Sequence, residues 1–323
     1  MWRKAFFIFV GALFLLAGAS GGLCQTYPAK AVRMIVPFAA GGANDLVGRA
    51  LQKSLGKELK TTIVVENIPG GSTKMGSLEL LRSEPDGYTL MLAGHAALQG
   101  YYYSGTYDSK VWEKMTPIGQ SGETPAGLFE VRVESPFKTW EDLAKNAKQN
   151  PGKLTCGGPG AGGLMNLLVL ETAKAAGVDV RYVPFAGAGP SGTALLGGHV
   201  DYRTCVVVEA INNIRAGKTR GLGLSYHLRL PELSNIPTFK ELGLLDISYL
   251  LTFDLLGPSN LPPNIMGILT KGLEKAVKDP EYVQFCQKIA YQPVFKDAQG
   301  VKEEIKLFEE KIGPKLAVFY QKK

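Results

Sequence analysis

The sequence predicts an α/β protein of two lobes, each a mainly parallel sheet flanked by helices. Three observations carry that prediction. Short apolar runs alternate with segments of helical periodicity. Glycine-rich stretches stand between several of those runs and the helices that follow. The alternation occurs in two series, separated by an extended connector at residues 116–130. Such alternation fits parallel sheets covered on both faces.

The elements follow in order. Trp2-Arg3-Lys4 is a short basic start, residues 5–19 are apolar and uncharged, and small residues follow. That is the pattern of a secretory signal peptide over residues 1–25, cleaved near residues 19–25. A membrane anchor is the bland alternative, but a span needs about twenty apolar residues. A lipoprotein beginning at Cys24 fits poorly, because no leucine stands three places before it. The first series then reads as strand 32–38, helix 44–59, strand 62–66, helix 76–82 and strand 88–92. In the helix at 44–59, Leu46, Val47, Ala50, Leu51 and Leu55 form the apolar stripe. The second series reads as helix 139–147, strand end 154–156, helix 164–176, strand 180–185, helix 192–196, strand 201–208, helix 210–216 and strand 220–225. From residue 249 one more strand appears, then helices that include 280–285 and 298–319. The chain thus crosses over and returns. One lobe comprises residues 26–124 with 248–323, the other residues 125–247.

Composition narrows the function classes. The 323 residues are 45% apolar and 20% charged, as in an ordinary globular chain. The net charge of +7 is spread, with no block of like charges, so no nucleic-acid footprint is visible. His95, His199 and His227 are isolated, and the cysteines lack zinc-like spacing, so no metal site is expected. Cys156 and Cys205 both lie at strand ends of the second series. Export permits a disulfide between them, and two buried thiols remain the alternative.

Glycine is high, 39 of 323. Three glycine-rich loops precede helices, at 37–45, 156–163 and 185–192. Glycine lets a ligand approach the main chain, and the unpaired N–H groups of a helix start favour anions. Read blandly, each loop is only a tight turn. Two loops match G-x-G-x-x-G, at Gly158/Gly160/Gly163 and Gly187/Gly189/Gly192. A dinucleotide site is rejected, and no cofactor is expected. The acid required after the next strand is misplaced for the first match, where Asp179 precedes its strand. For the second, Glu209 is well placed but the helix is too short for the motif. No H-E-x-x-H or P-loop motif is present, and the G-x-S-x-G at 18–22 lies in the signal segment. Enzymatic activity is therefore not expected. His95, after the third strand, is a candidate to contact a carboxylate, or else a capping or core residue. Glu66-Asn67 reads as turn chemistry before Pro69-Gly70-Gly71.

Several segments together carry a resemblance. They are Tyr27-Pro28-Ala29-Lys30 with VRMIVPFAAGGANDLVGRAL, Val64-Val65-Glu66-Asn67-Ile68-Pro69-Gly70-Gly71, and Pro85-Asp86-Gly87-Tyr88-Thr89-Leu90. Further on come Pro151-Gly152-Lys153-Leu154, Val183-Pro184-Phe185 and Leu195-Leu196-Gly197-Gly198-His199-Val200-Asp201. The sequence resembles the solute-binding proteins of tripartite tricarboxylate transporters, the Bug family. The resemblance implies a two-lobed periplasmic-binding-protein fold of the Venus flytrap type II kind. It implies a periplasmic monomer that captures a small carboxylate and delivers it to a permease of one large and one small integral subunit. Carried over, the ligand-binding residues are Phe38, Gly41, Gly42, Ala43, Asn44 and Asp45 in one lobe. In the other they are Gly158, Pro159, Gly160, Ala161, Gly162, Gly163, Leu164 and Asn166, and His95 and Cys205 join as cleft candidates. A ligand-presenting sensor, or a secreted enzyme using the same cleft, are the alternative functions.

The departures concern the ligand. The second loop has lost the family's hydroxyl donors, and Cys205 and Val206 stand where an aspartate is common. Leu251-Thr252-Phe253-Asp254 replaces the later S-W-F-G segment. These changes imply a ligand with one carboxylate at the first loop and a less polar far end.

Overall fold

The computed structural model describes residues 27–246 and 249–321. The signal-peptide reading at residues 1–25 lies outside them. The strands in chain order are β1 (Val32–Val36), β2 (Ile63–Asn67), β3 (Thr89–Leu92), β4 (Met115–Arg132), β5 (Thr155–Pro159), β6 (Arg181–Phe185), β7 (Tyr202–Val206), β8 (Thr219–Leu224), β9 (Leu250–Pro258) and β10 (Lys296–Asp297). The helices begin with α1 (Ala43–Leu59), α2 (Lys74–Arg82), α3 (His95–Tyr103), α4 (Trp140–Gln149), α5 (Leu164–Ala176), α6 (Ala188–Leu196) and α7 (Val207–Arg215). They end with α8 (Pro263–Val277), α9 (Pro280–Lys288), α10 (Ala298–Lys311) and α11 (Gly313–Gln321).

The strands form one curled, mixed path, β2-β1-β3-β9-β4-β7-β5-β6, with β8 and β10 also on β4. Its two ends are parallel, as the alternation predicts. β1 pairs with β2 and β3, and β5 pairs with β6 and β7. Its middle is antiparallel, through β3–β9, β4–β9, β4–β7 and β4–β8.

The expected connector at 116–130 is instead most of β4, an 18-residue strand. Residues up to Pro125 pair with β9, and residues from Ala126 pair with β7 and β8. Register shifts occur between Pro117 and Gly119, between Gln120 and Glu123, between Ala126 and Leu128, and between Phe129 and Glu130. Nearly every residue is buried, so the period-2 alternation of a half-exposed strand is absent. α3 was also invisible to periodicity, because six of its nine residues are buried, leaving no clear polar face.

Apolar side chains of both halves merge into one large core, with a smaller cluster beneath α3 that includes Tyr101, Tyr107 and Trp112. The disulfide possibility resolves to free thiols. Cys156, Cys205 and Cys286 are each buried and unpaired with one another. Burial pushes all three thiols up, that of Cys286 to about 12, which makes them inert as nucleophiles. No helix among the described residues is long and apolar enough to cross a membrane.

Candidate ligand-binding site

Four helices begin at one cavity. α1 opens from β1 through the Phe38–Gly42 loop, and α5 opens from β5 through the Gly160–Gly163 loop. α6 follows β6, and α7 follows β7 directly. Gly42, Gly163 and Gly187 are the N-cap residues of α1, α5 and α6, and none supplies a side-chain cap. Glycine there leaves the first N–H groups of each helix without a partner from the N-cap side chain.

The two main loops share one backbone device. Gly41 has φ +83° and Gly162 has φ +84°, conformations that a side chain rarely adopts. The next residues, Gly42 and Gly163, return to extended backbone at φ −84° and −81°. Asp45 Oδ2 then accepts from the Gly41 N–H at 3.0 Å, and Asn166 Oδ1 accepts from the Gly162 N–H at 3.3 Å.

The cavity holds about 60 Å³, room for several waters or a compact solute. One wall is Phe38, Ala39, Gly42, Ala43 and Asn44, with Ala97 and Tyr101 from α3. The other is Pro159, Gly163, Leu164, Met165, Ala188, Val206 and Glu209, and Leu251 of β9 closes the side. The walls touch. The Ala43 N–H donates to Glu209 Oε1 at 3.2 Å, across 166 residues of chain. A Cβ added at Gly160 would lie 2.6 Å from the Tyr101 hydroxyl oxygen, and one added at Gly42 would lie 3.7 Å from Ala188 Cβ. Close approach of the walls thus requires glycine at 160, whereas a Cβ at 42 would make ordinary contact.

The electrostatics are uneven. Burial pushes the Glu209 carboxyl above the usual range, against the pull of Arg203 and of the Ala43 and Val206 N–H groups. The Val206 N–H donates to Glu209 Oε2 at 3.4 Å. Beneath, Arg203 is almost wholly buried and pairs with Glu130. Its Nη1 donates to the Ala188 carbonyl at 3.1 Å and its Nη2 to the Glu209 carbonyl at 3.4 Å. Arg203 therefore holds the starts of α6 and α7 together. Burial would raise the Asp45 carboxyl, but the Arg49 guanidinium at 2.9 Å and the Gly41 N–H hold it below its ordinary range.

A model of the tripartite tricarboxylate transporter family receptor matches residues 47–315, most of the chain. The chain belongs to that family. A curated relative, the UPF0065 protein in the TAR-I ttuE-ttuC′ intergenic region of Agrobacterium vitis, is 30% identical over 275 residues, covering 84% of this chain and 79% of that protein. Protein BugT of Bordetella pertussis is 27% identical over 278 residues, covering 85% of each chain. Among solved structures, the periplasmic binding protein BugD superposes with a TM-score of 0.82 at 26% identity, covering 92% of this chain and 98% of that one. MatC from Rhodopseudomonas palustris, with bound malate, gives 0.80 at 26% identity, covering 88% and 99%. The fold is that of a periplasmic binding protein, and the family consists of solute-binding proteins rather than enzymes.

Of the residues expected at the site, Phe38, Gly42, Ala43, Asn44, Pro159, Gly163 and Leu164 line this family member's cavity. Gly41, Asp45, Gly162 and Asn166 stand one step back and shape the two loops. Gly158 packs under Tyr182, Gly160 against Tyr101, and neither they nor Ala161 line the cavity. His95 is not brought into the lining. Its ring Nδ1 lies 2.9 Å from Asp254 Oδ2 and 3.1 Å from Thr252 Oγ1, and its N–H donates to Asp254 Oδ2 at 2.8 Å. Cys205 also lies outside the lining, buried with Sγ 3.6 Å from Glu130 Oε1. The lining residues that sequence reasoning did not name as ligand contacts are Ala39, Ala97, Tyr101, Ala188, Val206, Glu209 and Leu251. Glu209 carried one usable signal, an acid three places after a strand end that opens a helix.

Proposed function

We propose that this protein captures a small carboxylate-type solute between two lobes in the periplasm and delivers it to a membrane permease of one large and one small integral subunit. The lobes are residues 26–124 with 248–323, and residues 125–247. The protein acts as a monomer, and the ligand contacts come from the two glycine loops. One observation carries the reading, a shared cavity onto which helix starts from both halves of the sheet converge. Helix starts of this kind stabilise a carboxylate through main-chain N–H groups and the helix dipole. The malate held by MatC, a family relative, supports the carboxylate class. Delivery would follow from domain closure, which buries the ligand and presents one closed shape to a receptor.

The test is a thermal-shift screen of the purified, dialysed protein. Its panel holds malate, succinate, citrate, aromatic monocarboxylates and amino acids. A ligand at 100 times its Kd adds about 2.7 kcal/mol, a melting shift of several degrees for a chain this size. A panel without any shift overturns carboxylate capture. For delivery, uptake of the radiolabelled hit should drop in cells lacking this protein and return on complementation. Unchanged uptake overturns the transport role.

A further inference from the structure

Within the cavity, Glu209 is an anomaly. Asn44 and Tyr101 apart, the site is otherwise lined by apolar side chains and helix starts, an arrangement suited to a negative ligand. A carboxylate already stands in it. Glu209 is enclosed by protein yet keeps part of its surface open, and it lines the cavity. Each of its oxygens takes one main-chain N–H, from Ala43 and from Val206. A carboxylate offers about four acceptor positions, so about half remain to face a ligand. Asn44 adds to the same corner. It is 6% exposed, it lines the cavity, and its Oδ1 has no hydrogen-bond partner among the described residues. The Ala43 N–H, the first that α1 could offer to a ligand carboxylate, is already taken by Glu209. By contrast, the first turn of α5 across the cavity carries no acid.

We propose that Glu209 gives the cavity a polarity, so that the ligand places its carboxylate toward the start of α5 and a hydrogen-bond donor, an amide or ammonium group, toward Glu209. This inference rests on the carboxylate-capture reading and narrows it. A second ligand carboxylate at that corner would meet Glu209 in a water-poor space, where like charges disfavour each other strongly. A donor would satisfy the open acceptor positions. Discrimination then comes from repulsion of the wrong ligand as much as from attraction of the right one. The ligand carboxylate then lies at the start of α5, not at the first loop where the departures from the family pattern had implied it.

Isothermal titration with matched pairs tests it. Succinate is compared with succinamate, glutarate with 4-aminobutyrate, and phthalate with phthalamate. In at least one pair the donor-bearing member should bind roughly tenfold tighter or more, the discrimination expected when one analogue leaves buried polar groups unpaired. E209Q should bring that ratio toward one or invert it, because the glutamine amide can itself donate to a carboxylate. If the dicarboxylate binds equally or better in every pair that binds, the polarity is wrong while carboxylate capture stands. If the donor preference survives E209Q unchanged, Glu209 is not its source and the inference falls. If no member of any pair binds, the inference falls together with the capture reading. The wild-type comparison needs no variant, so misfolding of E209Q, checked by its ligand-free melt, leaves the test intact.

Discussion

The loops before α1 and α5 have the same backbone and opposite electrostatics. Each runs through a left-handed glycine, then an extended glycine N-cap, then a helix whose third residue reaches back to the loop. In α1 that third residue is Asp45, a carboxylate paired with Arg49. In α5 it is Asn166, a neutral amide that also accepts from the Tyr320 hydroxyl at 2.5 Å. Glu209 adds a second acid at the start of α1, whereas the first turn of α5 carries no acid of its own. Backbone geometry makes both loops able to receive an anion. Side-chain charge decides that only one is left free to do so.

The largest expected difference between the loops is steric. Gly41 has open space where a Cβ would go, whereas a Cβ at 162 would lie 2.4 Å from Ser104 Cβ. Both glycines have positive φ, so G41A should lose about 1–2 kcal/mol from backbone strain alone. G162A adds overpacking to the same strain and should lose about 3 kcal/mol or more. Urea unfolding of both variants checks this, and equal losses would break the distinction.

Charge comes next. N166D brings a carboxylate to the start of α5 and should weaken binding of a carboxylate hit about tenfold, or ~1.4 kcal/mol. D45N should change it less than about threefold, because Asp45 is already neutralised by Arg49. Titrations that ranked the two variants the other way would move the anion seat to α1. Smaller again is Y320F, which removes the α11 hydroxyl from Asn166. It should destabilise by about 1 kcal/mol, the usual net value of a hydrogen bond, and a thermal melt reads it.

The last expectation concerns pH. The Glu209 carboxyl is raised in the folded protein by burial, with Glu130 adding to the rise and Arg203 opposing it. Folding therefore favours its protonated form. Its contribution to stability is full below the carboxyl's ordinary value of 4.5 and is lost as pH rises through the folded value. Chemical unfolding from pH 4 to 7 should show wild type losing ground to E209Q as pH increases. A gap independent of pH would contradict the burial of this carboxylate.

Most strands and helices were legible because each declares itself within about ten residues. β1 and β3 are short apolar runs, and α1 shows its stripe. β4 was not legible as a strand, since burial on both faces and four register shifts erase its alternation. His95 looked like a cleft residue because it follows β3, yet its partner Asp254 lies 159 residues away. Thr252 and Asp254 of the replaced segment and the histidine are thus one buried cluster, a pairing that local spacing does not encode.

The amino-acid sequence alone determined the glycine-opened helix starts, because positive φ and an uncapped first turn are properties of a few adjacent residues. It determined family membership for the same reason, through short motifs with their own turn chemistry. Tertiary structure alone decided what charge those helix starts face. Glu209 meets Ala43 only after β4 carries the chain from one half of the sheet to the other, and Arg203, which donates to the Glu209 carbonyl at the start of α7, is itself paired with Glu130 on that strand. Electrostatic interaction depends on distance in space, and 166 residues of chain separate the carboxylate from the N–H it occupies.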